Sequence, residues 1–323
     1  MYRKIIALIL SVFLAIGIIA VMLMRVWGDL SASLQYIRPL FLIPAILICV
    51  LAWFLRGWRY ESILRSLTVR VPVLFATACI YLSQTVNLIV PARLGDLIRI
   101  ILVRHEYDAT VSQGLSSLVV ERVFDIITVA LLGLIAAVFV LAVPEWMLTL
   151  IAVPLILGAI FFIALIFMGR FSTENKYLGY ILTMLNQVRG ASLTPSSAVI
   201  LFVSSIVIWL LDTVICLAVA LMFGQEIPFP VILLAIVAGN LVKAVPLTPG
   251  GVGTYEVSLA VIFELSGVTP ALATLIAVID HLIKNAITLI GGAASIYYFG
   301  NWVIPEMMAT IRKRLFDEDG KEE

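Results

Sequence analysis

The sequence predicts an all-α polytopic membrane protein. About six spanning helices plus two re-entrant broken segments (or eight spans) form an inverted repeat of two four-segment halves. Three observations carry that prediction. Of 323 residues, 63% are hydrophobic and 13% charged, whereas a soluble domain carries nearer a quarter charged residues. The mean hydropathy is +1.15, and the apolar residues gather into eight segments. A polar motif also occurs twice, each time within an apolar stretch.

The segments run roughly over 5–24, 39–57, 73–91, 113–142, 147–168, 196–223, 228–248 and 271–299. The first follows Met1-Tyr2-Arg3-Lys4 and lacks a small-residue cleavage site at its end, so it reads as a retained span rather than a signal peptide. Leu97–Val103, flanked by Arg99 and Arg104, and Tyr177–Val188 are amphipathic and are expected to lie in the membrane interface. The whole of 1–323 reads as one domain, with halves at about 1–142 and 147–303 and a short basic and acidic cytoplasmic tail over 304–323. Cys49, Cys79 and Cys216 lie in apolar segments and suggest neither a disulfide framework nor a metal site. A net charge of +1 gives no reason to expect nucleic acid as a partner.

The first motif is Asn87, Pro91, Arg93, Gly95 and Asp96, and the second is Asn240, Pro246, Pro249, Gly250, Gly251, Gly253 and Glu256. A charged apolar helix follows each. Glu121, Arg122 and Asp125 in the first correspond to Asp280, His281 and Lys284 in the second, all at an offset of 159, which also relates Gly133 to Gly292. Trp53 and Arg56 correspond to Trp209 and Asp212 at an offset of 156. Such duplication, with charge inside the bilayer, is how many transporters are built.

Loop charges refine the topology. With eight spans and a cytoplasmic N-terminus, ten Lys and Arg residues fall inside against eight outside. If segments three and seven dip in and return, the split becomes sixteen to two, a strong positive-inside bias. Both termini are then cytoplasmic and the halves are inverted. Broken helices are expected at the motif prolines and glycines, and irregular backbone at that depth must be buried in protein or line a wet cavity. The two motifs should therefore face each other or a shared cavity.

Several residues could carry chemistry. The glycines at 250, 251 and 253 could form an anion-binding nest at a helix start, with Thr248 and Thr254 adding hydroxyls, or simply a tight turn between half-helices. Arg93 with Arg99 could hold a phosphate, or snorkel to the interface, while Asp96 pairs locally. Glu121 and Asp125 share a helix face and need a cation from Arg122, Arg93 or a substrate. Asp280 and Lys284 can pair within their own helix. His281 could report proton coupling or be structural. His105 falls in a loop, Asp212 is the most isolated acid, and Lys243 is the cation nearest the second motif. No nucleophile–base constellation or metal spacing is present, so neither catalysis nor a cofactor is expected.

The stretches Asn87–Asp125 and Asn240–Asn285 resemble the flippase-like membrane domain of lysylphosphatidylglycerol synthase, on Asn87…Pro91-x-Arg93-x-Gly95-Asp96, Glu121-Arg122…Asp125 and Pro249-Gly250-Gly251-x-Gly253…Glu256. The resemblance covers most of the chain. It implies translocation or handling of a lipid with a polar, phosphate-bearing head, such as a polyprenyl-phosphate sugar or a modified phospholipid. The family pattern usually has Glu where this chain has Asp96 and often has Arg where it has His281. The synthases add a soluble aminoacyl-transfer domain, which this sequence does not contain, so lysyl transfer is not expected. On this reading Asn87, Arg93, Asp96, Arg122, Asn240, Lys243, Gly250, Gly251, Gly253 and Glu256 bind substrate. Glu121, Asp125, Asp212, Asp280, His281 and Lys284 form ion pairs or carry coupling protons. The alternatives are an ion-coupled transporter of a small solute and a non-catalytic membrane partner of a glycosyltransferase or lipid-modifying enzyme.

The re-entrant topology has a direct test. Single cysteines at Arg93→Cys and Arg189→Cys should both label from the cytoplasmic side. Labelling of both from the exterior would establish eight spans.

Overall fold

The computed structural model describes residues 2–34, 37–90, 93–140, 143–168 and 175–316. Among the described residues there are twelve α-helices and no strand. Eight helices coincide with the apolar segments: α1 (Tyr2–Leu34), α2 (Leu42–Ser66), α3 (Val73–Ile89), α5 (Val111–Val138), α6 (Glu145–Met168), α8 (Pro195–Met222), α9 (Phe229–Ala244) and α11 (Pro270–Phe299). The two amphipathic stretches are α4 (Gly95–Tyr107) and α7 (Lys176–Leu193). Local chemistry sets the boundaries. Thr110 and Gln113 form a reciprocal capping box at the start of α5. Asn175 caps α7 by accepting from the Tyr177 and Leu178 amides. Proline occupies the first turn of α8, α9 and α11, where its missing N–H costs nothing.

The structure corrects the sequence reading in several places. Segment two continues as helix to Ser66, so Arg56 and Arg59 are helical residues within the fold rather than loop charges. Arg99, also counted as a loop charge, is fully buried. Two helices were not anticipated: α10 (Thr254–Leu265) directly after the second motif, and α12 (Val303–Phe316) in what reads as a tail. His105 belongs to α4 and stacks on Trp302 with ring centroids 3.8 Å apart. Pro91 of the first motif, and the tail beyond Phe316, lie outside the described residues.

Among the described residues five helices are long and apolar enough to cross a membrane: α1, α2, α6, α8 and α11. The 28-residue α5 also has the length, but it carries Glu121, Arg122 and Asp125. The helices α3 and α9 have 17 and 16 residues. At 1.5 Å per residue each reaches only about 25 Å, short of a hydrocarbon core of about 30 Å. Both stop at the duplicated motif, where the backbone leaves helical geometry.

The packing is crossed. The helix α3 packs on α11, α5 on α9, and α2 on α8, while α1 rests against α11 and α6 against α5. Lipid supplies no hydrophobic drive between helices, so small residues must let the backbones approach. Gly57 of α2 lies against Thr77 of α3, and Gly292 of α11 against Thr85, whose hydroxyl donates to the Thr288 carbonyl at 2.9 Å. By contrast only 11% of the apolar window of α1 and 17% of that of α6 is buried, which leaves both facing lipid.

Close approach at Gly57 predicts a stability effect. A Cβ there would overlap the Thr77 side chain and come within 2.7 Å of its Cα, whereas one at Gly28 meets nothing within 4 Å. Gly57→Ala should lose about 1–3 kcal/mol by overpacking. Gly28→Ala should be neutral or slightly stabilising. Thermal unfolding in detergent, followed by tryptophan fluorescence, separates the two.

Candidate functional site

Residues of both motifs line one cavity of about 300 Å³. Asn87 and Arg93 enter from the end of α3 and the turn after it. Asn240 and Lys243 enter from the end of α9, and Gly250 and Gly251 from the loop beyond. The two motifs touch: Arg93 donates through Nη2 to the Lys243 carbonyl at 3.0 Å, and Gly250 packs against the Leu88 side chain. Arg93 holds a left-handed φ of 54°, unusual for a residue with a side chain. That conformation turns the chain from α3 into α4.

Asn87 fixes this turn. Its Oδ1 accepts from the Gly95 amide at 2.8 Å and its Nδ2 donates to Asp96 at 3.1 Å. Gly95 has no room for a side chain, since a Cβ would collide with the Ser83 carbonyl of α3. The second copy is built differently. Asn240 donates to the Ile236 carbonyl of its own helix at 2.8 Å. Gly250 at φ 61° and Gly253 at φ 88° make the turn into α10. The amides of Gly251 and Val252 bond to the Thr248 and Pro249 carbonyls, and that of Gly253 to Glu256 Oε2 at 2.8 Å. These three donors are already paired within the loop. Gly253 packs on Ile18 and Ala15 of α1, and neither it nor Glu256 lines the cavity.

The carboxylates are paired across helices. Arg59 forms a two-pronged bond with Asp125, at 2.6 and 3.0 Å, and donates to Ser205 at 2.7 Å. Arg99 bonds Glu121 at 2.6 Å and lies over the Tyr60 ring. Arg122 bonds both oxygens of Asp96 at 3.1 Å. In the second half Lys284 bonds Asp280 at 2.9 Å, as its spacing suggested, and also Asp212 and the Tyr255 hydroxyl at 3.1 Å each. Asp212 is therefore not isolated; it also has Arg56 at 3.5 Å, set between the Trp53 and Trp209 rings. Arg99, read as a phosphate ligand, lies outside the cavity lining, with no exposed surface.

His281 joins the two sides. Its Nδ1 lies 2.8 Å from Glu256 Oε1 and its Nε2 lies 3.3 Å from Lys243 Nζ. An ammonium can only donate, so Nε2 accepts and the imidazole proton sits on Nδ1, facing the carboxylate. Neutral His281 thus takes one hydrogen bond from Lys243 and offers it no charge.

Six cations line the cavity: Arg56, Arg59, Arg93, Arg122, Lys243 and Lys284. Three acids do: Glu121, Asp125 and Asp212. Among the described residues each of the three acids has a cation within 3.5 Å. Among the described residues Arg93 and Lys243 have no carboxylate within the 4.0 Å of an ion pair, and the Arg93 guanidinium bonds the Lys243 backbone carbonyl where the motifs meet. Sequence reasoning named both. It missed the buried roles of Arg59 and Arg99, although the apolar spacing of Tyr60, Ile63 and Leu64 continues the α2 core face past Arg59.

Residues 8–292 match a family described as "Lysylphosphatidylglycerol synthase TM region". Among similar proteins is the glycosyltransferase AglD of Haloferax volcanii, 33% identical over 87% of this chain and 53% of its own length, so the chain spans about half of that relative. A UPF0104 membrane protein of Methanothermobacter thermautotrophicus is 23% identical over 92% of this chain and 98% of its own. Another, of Methanocaldococcus jannaschii, is 29% identical over 68% of this chain and 97% of its own.

The buried Arg59–Asp125 pair makes a separable prediction. Arg59→Met, which leaves Asp125 without its two-pronged partner, should cost about 3–5 kcal/mol. Adding Asp125→Leu should restore most of that loss. A double-mutant cycle on thermal or denaturant unfolding reads the coupling.

Proposed function

The chain belongs to the lysylphosphatidylglycerol synthase transmembrane-region family, a family of multi-pass membrane proteins, and from that premise we propose that it translocates a lipid with a phosphate-bearing polar head. The observation that carries the reading is that Arg93 and Lys243, two cations with no ion-paired carboxylate among the described residues, line one cavity among the membrane helices. Unpaired charge at that depth is costly and calls for a mobile counter-ion. A phosphate can bridge a guanidinium and an ammonium by charge-assisted hydrogen bonds. Beside the cavity the chain exposes Ile89, Val245 and Leu247, an apolar rim on which lipid tails can rest while the head sits inside.

The crossed packing supports a transport cycle. The helices that carry the motifs, α3 and α9, each lie on the charged helix of the other half, α11 and α5. Inverted halves exchanged in this way can rock against each other about the α2–α8 contact and open the cavity to alternate sides. The loop-charge bias, thirteen to two once Arg56, Arg59 and Arg99 are counted within the fold, supports cytoplasmic termini. The chain performs no bond-making step of its own. A second reading, a membrane partner of a lipid-linked glycosylation enzyme, is favoured by the similarity to about half of a glycosyltransferase.

Dithionite bleaching of a fluorescent isoprenyl phosphate in phosphatidylcholine vesicles tests the proposal. The wild-type protein should expose the inner-leaflet pool. Arg93→Ala and Lys243→Ala should each slow that exposure about tenfold or more, the value of one charge-assisted hydrogen bond. Full transport by both folded variants would remove the site. No transport by the wild type, with stable co-purification of a glycosyltransferase, would favour the second reading.

A further inference from the structure

We propose that the cavity selects a neutral, hydroxyl-rich head attached to the phosphate, a glycosyl group, and rejects a cationic aminoacyl head. The inference rests on the phosphate reading of Arg93 and Lys243 and deepens it. Charge comes first. An ammonium head needs a free carboxylate, and Glu121, Asp125 and Asp212 are each already bonded to an arginine or lysine of the protein. The cations outnumber the acids in the lining. A lysyl group brought into that field would meet repulsion and no partner.

Unused hydrogen-bonding capacity comes second. Gln84 of α3 and Asn285 of α11 line the cavity, and among the described residues neither side chain has a hydrogen-bond partner. Their helices are locked together close by, where Thr85 donates to the Thr288 carbonyl and Gly292 admits the Thr85 side chain. A carboxamide offers donors and an acceptor at once, which suits a hydroxyl that both gives and takes a proton. A fixed charge uses only one side of it. A volume of about 300 Å³ sits at the small end of ligand sites. It fits a compact head, with the tails left in lipid.

Binding to the purified full-length chain, read by quenching of tryptophan fluorescence, decides the matter with three probes. They are a short isoprenyl phosphate, the same lipid carrying a hexosyl phosphate, and lysyl-phosphatidylglycerol. The hexosyl lipid should bind about tenfold tighter than the bare phosphate, the yield of two neutral hydrogen bonds, and lysyl-phosphatidylglycerol should bind weakest. Gln84→Ala with Asn285→Ala should erase the hexosyl advantage and leave the bare phosphate unchanged. Lysyl-phosphatidylglycerol binding as well as the hexosyl lipid, or wild-type parity between the hexosyl lipid and the bare phosphate, overturns the glycosyl proposal and leaves the phosphate reading intact. Wild-type protein that binds neither phosphate lipid overturns both. The ranking of probes on the wild type needs no variant, so a misfolded double mutant does not obscure the answer.

Discussion

A guanidinium or carboxylate taken out of water costs several kcal/mol unless an opposite charge meets it in good geometry, and the rest of this fold depends on that constraint. Arg59, buried in α2, must be met by Asp125 of α5. Arg99 of α4 must be met by Glu121, and Asp212 of α8 by Lys284 of α11. Each pair ties two helices that sequence alone leaves unconnected. Apolar packing in lipid is permissive about rotation and register, because a leucine against an acyl chain loses little relative to a leucine against a helix. The ion pairs are not permissive. They set which face of each helix turns inward and so enclose the cavity.

The same constraint gives the two unmatched cations their meaning. Among the described residues every other charge of the cavity lining has an ion-pair partner in the protein, and on the proposed function Arg93 and Lys243 are the two left for a ligand. Lys243 is further held by a neutral imidazole whose proton points at Glu256. The second motif thereby reaches the cavity through a lysine, while its last glycine packs on α1 and its acid bonds that glycine's amide and His281. Motif residues thus divide between those that only shape the turns, Gly95, Gly253 and Glu256, and those that line the cavity, with Asn87 doing both.

The long helices were legible because an apolar run in a bilayer has few other fates; all eight segments appear as helices within a few residues, apart from the longer α1 and α2. The motif pair was legible because it broke those runs in two places. What a single sequence does not carry is which distant charges meet. Arg59 and Asp125 are 66 residues apart, and Arg59 follows a tryptophan and precedes Tyr60-Glu61, a run that reads as a loop. The helix α10 escaped notice because 12 residues beginning among glycines and an acid lack the signature of a span. Asp212 looked isolated because its partners come from α2 and α11, far away in both directions along the chain.

The shortness of α3 and α9 has an electrical consequence. Two helices of 17 and 16 residues ending beside a polar cavity shorten the insulating path between the two aqueous faces. The transmembrane potential then falls mainly across what remains of that path. One elementary charge carried through it exchanges about 2.3 kcal/mol per 100 mV with the membrane. On the proposed function, an anionic head group crossing here would move current unless a proton or another cation travelled with it. On the proposed function, the direction of net transport would then depend on the polarity of the membrane potential.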